Sequence, residues 1–290
     1  MEASVMVVRM IFLSQTAIGV LGNSFLVYNS LLLFFTGIRL RLTDWILQHL
    51  IAANLLTLLS KGVPHTIETL GLKDFLNDFG CKLIFYLHRV GRSVSLSSTC
   101  FLSIFQAITI NPMGSRWTHL KVQAPSYIVA SVYISWILAL IINIDFAMYI
   151  TARLKHRNMT NSKWFGFCSA VRHDNEAIDI LAAVLHTSPD VFFVFLMIWS
   201  SSSMVCILYR HKQRMKHIHR SNLSLKYSAE SRATKIILLL VSTFVCFYAL
   251  SCVLQINMSI SNNPGFFLVN MGSVVVAGFP TVSPFLLISR

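Results

Sequence analysis

From Cys81 to Pro112 the chain reads CKLIFYLHRVGRSVSLSSTCFLSIFQAITINP. No proline interrupts it until Asn111-Pro112, a helix stop. A helix rises ~1.5 Å per residue, so ~20 residues cross the hydrocarbon core of a bilayer, and this stretch has residues to spare. Charge is confined to its first third, at Lys82, Arg89 and Arg92. Small hydroxyl residues follow, at Ser93, Ser95, Ser97, Ser98, Thr99 and Ser103. Such residues let helix backbones approach closely in lipid. A segment of this kind is the central strut of a membrane helix bundle, touched by neighbours on several sides.

The rest of the chain has the same character. Of its 290 residues 55% are apolar and only 12% charged, about half the charge of a soluble domain. Apolar stretches at about 6–35, 44–65, 81–110, 125–150, 177–209, 231–258 and 265–288 predict seven spans. The expected fold is an all-α integral membrane protein, a seven-transmembrane helix bundle forming one domain over residues 1–290. The N-terminus lacks a basic start, a short apolar core and a small-residue cleavage site, so the first span is expected to act as an uncleaved signal anchor. The net charge of +13 sits in membrane-flanking loops and is no sign of nucleic-acid binding.

Loop charges predict the orientation. With the N-terminus outside, the inner loops hold Arg39, Arg41, Arg116 and Lys121, and above all the run from Arg210 to Lys235. Outer segments carry fewer basic residues, diluted by acids. The bias places the N-terminus outside and the C-terminus inside, although the loop before the fifth span is itself basic.

Cysteines and sequons agree. Cys100, Cys206, Cys246 and Cys252 lie inside apolar spans, where a buried thiol is ordinary. Cys81 and Cys168 lie at the outer surface, where a bridge would tie the third span to the long loop after the fourth; two free thiols are the alternative. Asn158-Met159-Thr160 in that loop is a glycosylation acceptor. Asn222-Leu223-Ser224 also matches but falls on the cytosolic side, and Asn257-Met258-Ser259 is too close to the membrane.

Polar residues within spans are costly and mark packing or function. Mid-span Asn23 needs a partner on a neighbouring helix. Asn54 is likewise mid-span. His88, Arg89 and Arg92 lie two to three turns below Cys81, with 88 and 92 one turn apart on one face. Asp145, His186 and Asp190 lie at comparable depth on the fourth and fifth spans, Tyr248 and Gln255 on the sixth. Together they are candidates to line a mostly apolar pocket with a few polar anchors. The competing reading is an internal brace, Arg92 paired with Asp145 or Asp190.

No catalytic constellation or phosphate loop is present, and no cofactor is implied. His211, His217 and His219 lie in a basic cytosolic loop and read as solvated rather than metal-binding. Lysine and arginine there suit anionic lipid headgroups and the acidic patches of a G protein. A transporter is the alternative class, but no internal repeat or broken mid-membrane helix supports it.

Phe105-Gln106-Ala107-Ile108-Thr109-Ile110, Asn111-Pro112 and Ser115-Arg116-Trp117 resemble the third helix and second inner loop of vomeronasal type-1 receptors. His211-Lys212-Gln213-Arg214, Arg232-Ala233-Thr234 with Leu240–Val245, and Phe279-Pro280-Thr281-Val282-Ser283-Pro284-Phe285 extend the resemblance through the sixth and seventh helices. A bitter-taste-like receptor shares the architecture, but these stretches favour the vomeronasal family. The resemblance implies a plasma-membrane receptor for a small pheromone-like molecule, volatile or steroid-like, acting on a Gi/Go-class heterotrimeric G protein. Rhodopsin-like receptors carry Asp-Arg-Tyr where this chain has Phe105-Gln106-Ala107. Gln106, matching that arginine, is neutral and cannot hold an ionic lock, so amide hydrogen bonds and packing around it are expected to hold the inactive state. Arg210, Lys212, Arg214 and Lys216 are expected to face the G protein. Family members continue past the seventh helix with a short basic tail whereas this chain stops at Arg290, so a signalling-incompetent truncated receptor is a further alternative.

Overall fold

The computed structural model describes residues 2–37, 41–69, 71, 76–111, 115–148, 150–152, 162–164, 168–171, 176–215, 224–260 and 266–288. The long helices are α1 (Glu2–Phe35), α2 (beginning Leu42–Thr57), α3 (Asp78–Ile110), α4 (Ser115–Ile142), α5 (Glu176–Met215), α6 (Ser224–Ile260) and α7 (Phe266–Ile288). Seven helices among the described residues are long and apolar enough to cross a membrane. The spans of α2, α3 and α7 are more than half buried, while those of α1, α4, α5 and α6 turn most of their surface outward. Exposed Phe35, Leu21, Tyr127 and Trp199 would be a liability in water; on a bundle in lipid they are the expected surface.

Several helix ends differ from the sequence reading. α3 starts at Asp78 rather than Cys81, because the Asn77 side chain accepts from the Gly80 N–H at 2.8 Å and caps the helix. α2 does not end near residue 65. It passes through a wide π-turn, Leu58–Gly62, and continues as Val63–Thr69. Pro64 lacks an N–H and crowds the carbonyl four residues back, and the widened turn accommodates both effects. α4 begins at Ser115, with Pro125 inside it, and ends at Ile142 rather than Ile150. Nothing between Ser115 and Ala124 stops a helix, and Lys121 Nζ donates 2.6 Å to the Asn111 carbonyl, tying the start of α4 to the end of α3. At the other end the chain turns at Asn143 into a short helix, Ile144–Met148. α5 and α6 run past the expected limits at Tyr209 and Ser231, since a helix need not stop where its residues cease to be apolar.

The outer loop is not wholly irregular. β1 (Ile150–Ala152), β2 (Ser162–Trp164) and β3 (Cys168–Val171) form an antiparallel sheet in the order β1-β3-β2, with Ala152 opposite Cys168 and Trp164 opposite Ser169. The Cys81–Cys168 disulfide fastens β3 to the head of α3. It is fully buried with Ile150, against Leu76, Ile84 and Phe85. At the same end Phe12 of α1 meets the His65 ring edge-on at 4.5 Å. Disulfides form in oxidising compartments, so this end, with the start of α1, is the outer one, and the end of α7 is the inner one.

The core is largest toward the inner half, where Leu50, Leu96, Leu102, Met197, Leu240 and Phe279 pack together. A polar layer crosses it. Asn23 Nδ2 donates 2.8 Å to the Pro280 carbonyl of α7, the cross-helix partner its depth demanded. Asn54 Nδ2 donates 2.9 Å to Ser283 Oγ and Ser95 Oγ donates 2.8 Å to Asn54 Oδ1, so one amide joins α2, α3 and α7. Ser103 and Ser200 bond through their hydroxyls, linking α3 to α5.

Candidate ligand site and inner face

Two adjoining cavities open within the bundle. The larger holds about 410 Å³ of empty space, counting the space at its mouth. α2 contributes Thr57, α3 Arg92 and Ser95, α6 Phe244, Phe247, Tyr248 and Ser251, and α7 Val275, Val276, Phe279 and Pro280. Its wall is mainly aromatic and aliphatic with a few hydroxyls and one guanidinium. The smaller, about 190 Å³ counted in the same way with its mouth, lies among α1, α2, α3 and α7 and is lined by Phe12, Thr57, Lys61, Gly62, His88, Ser273, Val276 and Ala277. Thr57 and Val276 line both.

Close backbone approach creates this geometry. A Cβ on Gly91 would lie 2.9 Å from the Ala53 carbonyl oxygen and 2.7 Å from Thr57 Oγ1. Only glycine lets α3 press against α2 here, and Arg92 and His88 flank that contact. A Cβ on Gly278 would collide with the Phe247 ring, so the glycine leaves room for Phe247 to lie between α6 and α7.

The polar candidates divide among distinct roles. The Arg92 guanidinium sits over the Tyr248 ring, 5.2 Å from its centroid, a cation–π contact. The Tyr248 hydroxyl donates 3.1 Å to Asp190 Oδ2. Tyr248 therefore connects Arg92 of α3 to Asp190 of α5, where the sequence reading had a direct Arg92 ion pair with Asp145 or Asp190. Arg89 Nε instead donates 2.8 Å to Asn143 Oδ1 at the end of α4, within the field of both Asp145 and Asp190. Arg89 and Asp145 line neither cavity. His88 is buried and lines the smaller cavity, whereas Arg92, one turn on, lines the larger. His186 falls in α5 and Gln255 in α6, but their side chains lie outside the described residues.

The sequence reading missed Lys61 and the aromatic wall of Phe244, Phe247 and Phe279. Ionisable groups mark a span where phenylalanine does not, and Lys61 stands near the end of the span expected at 44–65. The proline three residues later was the available sign of an irregular turn there.

At the inner end Gln106 is buried and its Nε2 donates 2.9 Å to Thr234 Oγ1 of α6. Arg210 is exposed on α5, and Lys212 and Arg214 follow in the same helix. Lys216 and Asn158 lie outside the described residues.

This seven-helix frame, clamped at the head of α3, has close relatives. Residues 6–290 match the model of the vomeronasal organ pheromone receptor family. The chain belongs to the vomeronasal type-1 receptor family. It is 52% identical over 277 residues to vomeronasal type-1 receptor 4 of Pongo pygmaeus, covering 96% of this chain and 92% of that one. Identity to the Homo sapiens protein of the same name is 50%, with the same coverage. Olfactory receptor class A-like protein 1 of Danio rerio is 30% identical across the whole of this chain and 90% of its own length. This vomeronasal-family protein is therefore a chemosensory G-protein-coupled receptor, a multi-pass protein of the plasma membrane and not an enzyme. Its family implies a ligand and a G protein as partners. Family membership decides against the bitter-taste-like and transporter alternatives.

Proposed function

We propose that this receptor binds a small, largely apolar organic molecule in the larger cavity and passes the signal to a Gi/Go-class G protein. The carrying observation is the cavity itself, with aromatic walls from α6 and α7 and Arg92, Tyr248 and Ser251 as polar anchors. Small-molecule sites have this composition, an apolar lining with few placed polar groups. A pheromone-like ligand accords with the family's description. Phe247 and Tyr248 line the cavity on α6, and Thr234 of the same helix bonds to Gln106. A ligand that favours a different seating of α6 thus acts on the inner face by shifting a population between two packings. Arg210, Lys212, Arg214 and Lys216 then present positive charge to the G protein.

The test is a calcium or cAMP response to a panel of small volatile and steroid-like molecules in cells expressing the chain. Arg92→Ala and Phe247→Ala are expected to weaken the response at unchanged surface expression, and pertussis toxin, which uncouples Gi/Go, to abolish it. Full potency in both variants would remove the cavity assignment, and toxin insensitivity the Gi/Go assignment.

The bond from Tyr248 to Asp190 favours a second reading, in which Arg92, Tyr248 and Asp190 brace α3, α6 and α5. Tyr248→Phe separates the two, because the ring remains and only the bond to Asp190 is lost. A brace predicts lower thermal stability with ligand potency retained.

A further inference from the structure

Two cations flank the place where α3 presses on α2. A Cβ on Gly91 would lie 2.7 Å from Thr57 Oγ1 there. Arg92 follows Gly91 on α3 and lines the larger cavity. Lys61 stands about one turn beyond Thr57, in the π-turn of α2, and lines the smaller. Thr57 lines both cavities, which puts the two cations on either side of their junction. Arg92 lies within the field of Lys61. Among the described residues Lys61 has neither a hydrogen bond nor an acidic partner, and Arg92 has the Tyr248 ring, 5.2 Å from its guanidinium. The charges nearby do not cancel. Arg89 lies in the field of Arg92, Asp145 and Asp190, so the positive charges of Lys61, Arg89 and Arg92 stand against the two carboxylates of Asp145 and Asp190. His88, buried beside the cations, adds no negative charge. Among these groups one positive charge is left over inside a membrane bundle.

Ionisable side chains within a span are costly and take partners, and a buried charge without one is strongly unfavourable. Thr57 Oγ1 donates to the Ala53 carbonyl at 2.9 Å and Ser95 Oγ to Asn54 Oδ1 at 2.8 Å. Those oxygens can accept from a cation but supply no charge, and water has the same shortcoming. A monovalent anion accepts several N–H bonds at once and cancels the surplus, whereas a divalent one would reverse it. We propose that the junction of the two cavities is an inorganic anion site held by Lys61 Nζ and the Arg92 guanidinium, and that chloride, the abundant small anion outside cells, occupies it and ties α2 to α3. Arg92 also touches the Tyr248 ring of α6, so an ion that holds Arg92 favours one seating of α6 over another. The site goes beyond the small-molecule reading above and does not depend on it, because its test needs no agonist.

The test is the melting temperature of the purified full chain, with sodium chloride replaced stepwise by sodium gluconate at constant ionic strength so that screening is unchanged. Chloride is expected to raise the melting temperature by a few degrees along a saturating curve, as a ligand of the native state does, and bromide to replace it. Lys61→Met and Lys61→Gln remove the surplus charge, so each should melt alike in the two salts and, in gluconate, no lower than the parent. Lys61→Arg keeps the charge and should keep the chloride-dependent rise. Sodium hexanoate is expected to give no rise. A parent receptor that melts alike in chloride and gluconate overturns the site. A chloride rise that survives in Lys61→Met and Lys61→Gln overturns it too, since the ion would then sit elsewhere. Melting of both variants below the parent in gluconate does the same, because Lys61 would then be balanced already. If hexanoate stabilises the parent more than chloride does, the junction anchors the charged group of an organic anion and the inorganic site falls. None of these outcomes decides whether an agonist sits in the larger cavity, which the Phe247→Ala response tests separately.

Discussion

The side-chain amide of Gln106 donates 2.9 Å to the hydroxyl of Thr234, joining α3 to α6 near the inner face with a neutral bond where rhodopsin-like receptors place a charged arginine. Both residues are buried. A neutral bond is worth about 1 kcal/mol, far less than breaking one side of a buried ion pair. Its loss therefore changes a two-state balance only modestly. Thr234→Val and Gln106→Ala are each expected to raise basal signalling by about fivefold at most, read as ligand-free cAMP. By contrast, neutralising Lys212, Arg214 and Lys216 together should abolish signalling at normal surface expression, since charge steers the encounter with the G protein. Normal signalling in the triple variant with silence in Gln106→Ala would reverse these roles.

Gly91 and Gly278 predict different failures. A Cβ on Gly91 meets backbone, the Ala53 oxygen at 2.9 Å and the Thr57 nitrogen at 3.0 Å. Gly91→Ala must therefore part α2 from α3, at a cost of about 1–3 kcal/mol. The three atoms nearest a Cβ on Gly278 all belong to the Phe247 ring, which can turn aside into the larger cavity. Gly91→Ala should lower the melting temperature of the purified receptor. Gly278→Ala should chiefly weaken agonist potency, because the displaced ring occupies ligand space.

The Cys81–Cys168 bridge closes a separation of 87 residues and is expected to contribute about 2–5 kcal/mol. Cys81→Ser and Cys168→Ser should each reduce surface expression, and the double variant should be no worse than either. Additive losses would mean that the two sulfurs act independently.

Asn158 should carry the glycan and Asn222 should not, since the first is expected outside the membrane and the second in the cytosolic loop. Glycosidase treatment should shift gel mobility, and Asn158→Gln should abolish the shift. A shift that survives Asn158→Gln and vanishes in Asn222→Gln would invert the orientation.

Much was legible along the chain because a bilayer imposes a local rule. Each span needs ~20 apolar residues with internally satisfied backbone, so seven spans, their orientation and the placing of Cys81 outside could be read from composition and loop charge. The motifs from Phe105 to Trp117 and from Phe279 to Phe285 pointed to the family. Depth alone also required a cross-helix partner for Asn23. Helix ends were less legible, since Asn77 caps α3 with a side chain and α2 survives Pro64 by widening a turn. The partner of each polar group was decided only by the tertiary structure. Arg89 and Arg92 stand three residues apart on one helix, yet one reaches Asn143 of α4 and the other the Tyr248 ring of α6. Their rotation about α3 follows from how closely Gly91 lets α2 approach, a distance set by packing among several helices at once. Lys61 and His88 meet at one cavity for the same reason. Span and charge are properties of a single segment, whereas a site is a property of the distances between segments.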